Sequence, residues 1–135
     1  MRRGHYLESQ LAKVISYLNE QGIHAHKNHP ERTVDGTYLE GEPFDYEVMV
    51  SPPHCFDAKE SEGDAWPLAK AKPSQVKHLL NCRNHGAAAY FLVLFGRKVL
   101  KQFDVQLVLE AMQEGRKTLL ASEGCDWDWK QFLNG

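Results

Sequence analysis

The sequence predicts an α/β domain, a mixed β-sheet flanked by helices, with its elements in the order α-β-β-β-α-β. Three observations predict it: an early amphipathic run with helical spacing, a period-two stretch that doubles back after a Pro-Pro turn, and a continuous apolar segment from Ala87 to Phe95. With 135 residues the chain has the length of one hydrophobic core and not two, so residues 1–135 are read as a single domain.

Leu7, Leu11, Val14 and Leu18 recur at intervals of three and four, and Gly22 follows as a C-cap, which predicts a helix over residues 5–21. Glu8 shares a side of that helix with Leu11, Ala12 and Ile15, so its carboxylate lies beside the core-facing stripe. A short strand is expected to begin at Ile23. Residues 27–42 hold Pro30, Gly36 and Gly41 among polar neighbours and read as an irregular loop. Phe44 to Val50 then alternates, Ser51-Pro52-Pro53 turns the chain, and His54 to Lys59 returns, an antiparallel hairpin. A turn centred near Pro52 sets Asp45 across from Lys59 and diagonal to Asp57. Residues 61–73, with Trp66, Pro67 and Pro73, read as a loop, and Ser74 as the cap of a helix reaching His85. The Ala87–Phe95 run is rich in aromatic and β-branched residues, as a strand covered on both faces is. Val99–Phe103 is its expected neighbour, Asp104 caps a helix through Met112 that ends at Gly115, and Asp126 is expected to cap a last turn.

The 42% apolar and 25% charged composition is that of a soluble globular protein, and no apolar run approaches the roughly 20 residues of a membrane span. The residues after Met1-Arg2-Arg3 are too polar for a signal peptide, so a cytoplasmic location is expected, in a bacterial cell or a phage-infected host. Cys55, Cys82 and Cys125 are odd in number and lack paired zinc-site spacing, so they read as free thiols. The net charge of -2 says little about a polyanionic partner, but its distribution says more. Lys70, Lys72, Lys77, Arg83, Arg97, Lys98 and Lys101 fall in a stretch from Lys70 to Phe103 that holds no Asp or Glu. Such segregation creates a positive face, which phosphate backbones attract, although a solvated basic surface has the same pattern.

Strand alternation puts Asp57 and Lys59 on one face, about 7 Å apart along the strand, with Ala58 turned toward the core. Asp45 and Glu8 are positioned to bring two more carboxylates. Clustered carboxylates are costly unless a cation neutralises them, and an all-oxygen ligand set favours Mg²⁺, with Mn²⁺ as its substitute. The Ala58 carbonyl, between the two active side chains, is a further candidate ligand. A metal-activated water and a lysine beside it suit phosphodiester hydrolysis. Taken alone, Asp57 and Lys59 also read as a surface ion pair, and Glu8 as helix-surface charge. Their joint placement after helix, strand and strand, with a basic helix next, favours the site.

The stretches G-x-x-x-E (Gly4–Glu8), G-E-P-F-D-Y-E (Gly41–Glu47), F-D-A-K-E-S (Phe56–Ser61), Q-V-K-H-L (Gln75–Leu79), the apolar strand at Ala89–Phe95 and G-R-K-T (Gly115–Thr118) follow in order along nearly the whole chain. Together they resemble the Holliday junction resolvases of the RecU type, in the PD-(D/E)XK nuclease superfamily. The resemblance implies a restriction endonuclease-like core and a Mg²⁺-dependent endodeoxyribonuclease that makes symmetric paired nicks at four-way junctions. It implies that Glu8 assists metal binding, that Asp45 and Asp57 are the central ligands, and that Lys59 is the motif lysine. It also implies that Gln75 orients the attacking water or a ligand, and Ser61 stands where the family often has a hydroxyl. Two departures stand out. Asp57 replaces a usual glutamate, and the stalk that engages the junction centre could come only from residues 27–42.

His24, His26 and His29 form H-x-H-x-x-H, but no local cysteine or acid completes a tetrahedral site, so they read as strand and loop residues. Arg2, Arg3, Lys70, Lys72, Lys77 and Arg83 are the candidate DNA-backbone contacts. Trp66, Trp127 and Trp129 read as packing residues. Two symmetric incisions imply a homodimer, one site per protomer. Rival readings are a general, flap or duplex-end nuclease in replication, repair or restriction, and a DNA-binding protein that kept the fold without catalysis.

Overall fold

The structure, a computed structural model, describes residues 5–28 and 46–134. Helix α1 (His5–Glu20) leads to β1 (Ala25–Lys27); β2 (Tyr46–Val48) and β3 (His54–Ser61) follow, then β4 (Ala65–Pro67) and a 3₁₀ turn at Leu68–Lys70. Helix α2 (Pro73–Asn84) crosses to β5 (Ala88–Phe95), which turns into β6 (Val99–Asp104); α3 (Val105–Gln113), β7 (Thr118–Leu120), β8 (Cys125–Asp126) and a 3₁₀ segment at Trp129–Asn134 complete the order. Six strands form one mixed sheet in the order β1-β2-β3-β5-β6-β8, and β4 pairs with β7 in a separate ribbon. β3 and β5 are parallel, joined through α2, and the other pairings of the main sheet are antiparallel. The expected mixed sheet flanked by helices is the observed one.

The β5 run explains how the sheet is held. Tyr90, Leu92 and Leu94 pack with Leu7, Leu11 and Leu18 of α1. Phe91, Val93 and Phe95 pack on the other face with Val76 and Leu79 of α2 and Val108 of α3. Each such side chain contributes about 1.5–3 kcal/mol on full burial, so a strand apolar at every position stabilises two layers at once. β3 alternates instead. Cys55 belongs to the α2 and α3 side and Phe56 to the α1 side, which turns Asp57 and Lys59 toward α2, and Ala58 and Glu60 toward α1.

Several local expectations are revised. The hairpin pairs Tyr46 with Phe56 and Val48 with His54, a register two residues away from the expected one. β2 ends at Val48, where the Val50 N–H folds back onto the Val48 carbonyl at 3.1 Å, so the connection to β3 begins earlier than expected. Residues 61–73 are not a plain loop. Trp66 pairs with Leu119 across the β4–β7 ribbon and packs fully buried on Phe91 and Phe103, with ring centroids 5.3 and 5.9 Å away. Ser74 does not cap α2. The helix begins at Pro73, whose fixed φ and missing N–H suit the first helical position, and Lys72 stands at the N-cap. Asp104 caps α3 as expected, accepting from the Gln106 N–H at 2.9 Å. Asp126 lies in β8, and it is Asp128 that accepts from the Lys130 N–H, at 2.9 Å, at the last turn. Beyond Asn28, the loop expected at 27–42 lies outside the described residues. Among those described, no helix is long and apolar enough to cross a membrane.

Candidate active site

On its β3 side the described part of β2 pairs with His54, Cys55 and Phe56, and Asp57 is the next residue of β3. A cavity of about 570 Å³ lies at Asp57, and both helical layers reach it. Asp57, Ala58 and Lys59 line it from β3, Glu8 from α1 and Gln75 from α2. Lys70 and Lys72, on the turn before α2, stand on its wall, exposed to solvent. Residues as far apart in sequence as Glu8 and Gln75 thus share one concavity.

Asp57 is 1% exposed, and the Lys59 ammonium lies 2.8 Å from its Oδ2. A carboxylate buried this deeply is costly without a positive neighbour. Glu8 is more open, and its Oε2 lies 3.4 Å from Lys27 Nζ of β1. Gln75 turns its amide oxygen back to accept from the Lys72 N–H at 3.2 Å. Because that donor requires an oxygen, the Gln75 amide is oriented by it, and the NH₂ end remains as its donor toward the cavity. Among the described residues no three His, Cys, Asp or Glu side chains gather to hold a metal ion. Asp45, the third expected carboxylate, lies outside them, as do Arg2 and Arg3. The donors present, a buried carboxylate, its neighbouring backbone carbonyl and a second carboxylate across the cavity, are all oxygens and fit a hard divalent cation.

Other expected residues are placed elsewhere. Lys77 is exposed on α2. Arg83 Nε donates to both Asp104 oxygens, at 3.0 and 3.3 Å, tying α2 to the start of α3. Lys101 is bonded to Asp126 at 2.6 Å, and the Arg97 guanidinium stacks 4.8 Å from the Tyr6 ring centre. The basic stretch is therefore partly neutralised by acids from outside it. Ser61 Oγ donates to the Ala65 carbonyl at 2.6 Å, closing the bend into β4. His26 Nε2 lies 3.7 Å from Glu47, the His24 ring is tilted against the His26 ring with centroids 5.2 Å apart, and His29 is outside the described residues. Cys55, Cys82 and Cys125 are free thiols; burial pushes Cys55 up to about 12, far from a reactive thiolate. Three further residues line the cavity with no site role expected from the sequence, Glu60, Ala69 and Trp66, the last expected only to pack. Trp66 immediately precedes Pro67 in a stretch that reads as loop, and Glu60 adjoins Lys59 on the alternate face of β3.

The family described as RecU, Recombination protein U, matches residues 2–123. The chain belongs to the RecU family. Its fold is similar to that of a solved structure, the Archaeoglobus fulgidus Hjc, described as a Holliday junction resolvase from an archaeal hyperthermophile. The TM-score is 0.56 and the identity 20%, over 91% of this chain and 95% of that one. Among curated protein sequences no match is found. This RecU-family chain therefore has the restriction endonuclease-like architecture that its ordered motifs imply.

Proposed function

We infer that the chain is a divalent-metal-dependent endodeoxyribonuclease that resolves four-way DNA junctions by paired symmetric nicks, acting as a homodimer. The observation that carries this reading is the single cavity lined by Glu8, Asp57, Lys59 and Gln75 with Lys70 and Lys72 on its wall, in a chain of the RecU family. Asp57, Glu8 and the Ala58 carbonyl, with Asp45, would hold Mg²⁺ or Mn²⁺. When bound, such an ion supplies Lewis acidity toward a phosphoryl oxygen and lowers the pKa of a coordinated water. Lys59, held at Asp57, orients the attacking water and offsets negative charge that grows on the scissile phosphate. Gln75, its oxygen fixed by the Lys72 amide, presents its NH₂ donor to the same water or to a ligand carboxylate. Lys70 and Lys72 bind backbone phosphates and so position DNA without reading its sequence.

The test is a cleavage panel of labelled four-way junctions, flaps, duplexes and single strands, with Mg²⁺ and with chelator. Paired nicks near the junction centre, lost on chelation, are expected. Cleavage indifferent to branching would leave a general nuclease instead. DNA binding without cleavage of any substrate would leave a non-catalytic protein.

A further inference from the structure

Glu60 follows the motif lysine, and strand alternation turns it toward α1. Its Oε2 accepts a hydrogen bond from the Leu7 backbone N–H at 3.0 Å, across 53 residues of sequence. Leu7 is in the first turn of α1, where amide N–H groups have no acceptor within the helix. An anionic acceptor there is also favoured by the helix dipole. The residue after Leu7 is Glu8. The strand that carries Asp57 and Lys59 is therefore bonded directly to the helical turn that carries the carboxylate across the cavity. On the side chain itself Glu8 has Lys27, an ion pair at 3.4 Å with both partners partly exposed, which restrains it weakly.

We propose that Glu60 is a positioning residue: through the Leu7 amide it fixes the first turn of α1 against β3 and so sets the Glu8 carboxylate relative to Asp57. This rests on the reading of Glu8 as a metal-binding carboxylate. Supporting partners of this kind commonly govern metal affinity by 10- to 100-fold without touching the ion. The pattern D-A-K-E, Asp57 to Glu60, then combines two roles on opposite faces of one strand. Asp57 and Lys59 line the cavity from the α2 side of β3, and Glu60, which reaches its lining from the α1 side, holds the helix that brings the opposing group.

The experiment measures Mn²⁺ affinity calorimetrically on the full-length protein without DNA, alongside Mg²⁺-dependent junction cleavage. Variants are Glu60→Ala, Glu60→Gln, Glu8→Gln and the double variant Glu8→Gln/Glu60→Ala, each checked for fold by circular dichroism. Glu60→Ala should weaken Mn²⁺ binding about tenfold, with junction affinity in chelator unchanged. Glu60→Gln, whose amide oxygen still accepts from Leu7, should restore parent behaviour. In the Glu8→Gln background Glu60→Ala should add nothing. Should Glu60→Ala fail to fold, Glu60→Met keeps the stem without the acceptor and should match the loss expected of it. Faster hydrogen exchange at the Leu7 amide should accompany that loss and not appear in Glu60→Gln. Parent-like Mn²⁺ binding by Glu60→Ala beside a weakened Glu8→Gln would overturn the role of Glu60 and leave the nuclease reading standing. An equal loss in Glu60→Gln, or full additivity in the double variant, would overturn it as well. Parent-like Mn²⁺ binding by Glu8→Gln would instead remove the metal role of Glu8, and this proposal with it.

Discussion

Under the proposed function, Asp57 and Lys59 would serve both folding and chemistry as one pair. The ammonium 2.8 Å away makes the buried carboxylate tolerable, and the same charge is available to a phosphate at the cavity. Asp57→Ala should abolish Mg²⁺-dependent cleavage while leaving DNA affinity at or above the parent level, as read by junction-binding titration; parallel loss of binding and fold would contradict the ligand role. Lys59→Ala should cut turnover by about 100-fold or more, the scale lost when one charge-stabilising group leaves a site, with metal affinity closer to normal. A second titratable group lies in the α1-side core. Trp127 Nε1–H donates to Tyr90 Oη at 2.8 Å, and Tyr90 Oη shares a hydrogen bond with His54 Nδ1, also at 2.8 Å. Burial lowers the His54 pKa below its ordinary 6.5. The unfolded chain then binds the proton first, so this contribution to stability is complete above about pH 6.5 and is lost as pH falls through the lowered folded value. Thermal melts from pH 7 to 5 should fall more steeply for the parent than for His54→Gln, which hydrogen-bonds without titrating; parallel slopes would contradict the assignment.

The β4–β7 ribbon and α2 together form the wall beside β3. Trp66 anchors that wall, wedged under the cavity against Phe91 and Phe103. Trp66→Ala should cost about 3–5 kcal/mol, measurable by chemical denaturation, and Trp66→Phe much less. The entry to α2 is a different device. Pro73 starts the helix, and Gln75 accepts from the Lys72 N–H, so one side chain that lines the cavity also closes the helix end. An element whose cap belongs to the site links site geometry to helix integrity, which is why a Gln75 substitution should be judged on both turnover and melting temperature.

The whole molecule carries a net charge of -2, yet Lys70 and Lys72 stand exposed at the cavity while Arg83 and Lys101 are engaged with Asp104 and Asp126. Among the described residues, the exposed Lys70 and Lys72 are the candidate phosphate contacts at the cavity. Replacing Lys70 and Lys72 together by alanine should reduce the log–log salt slope of junction binding by about 2, roughly 0.9 per lost contact, whereas Arg83→Ala should change it less. An unchanged slope in the double variant would move the phosphate path away from this wall. The paired basic residues also explain why a charge run read along the chain overstates the positive surface: acids from β8 and the start of α3 arrive beside it only on folding.

Patterns that act over a few residues were readable without coordinates. Helical spacing in α1, the apolar run of β5, the Asp104 cap and the period-two placement of Asp57 beside Lys59 all follow from short-range geometry. Ordered motifs also carried the family, since resemblance needs only sequence. Contacts between distant segments were not readable, because alternation sets which face a side chain takes but not how far a neighbouring strand slides. Hence the hairpin register differs by two residues from the expected one, the stretch around Trp66 reads as loop although Trp66 pairs with Leu119, and nothing local announces the Arg83 bond to Asp104. The Glu60 bond to the Leu7 amide spans 53 residues, and no local rule distinguishes that carboxylate from any other charge on a strand.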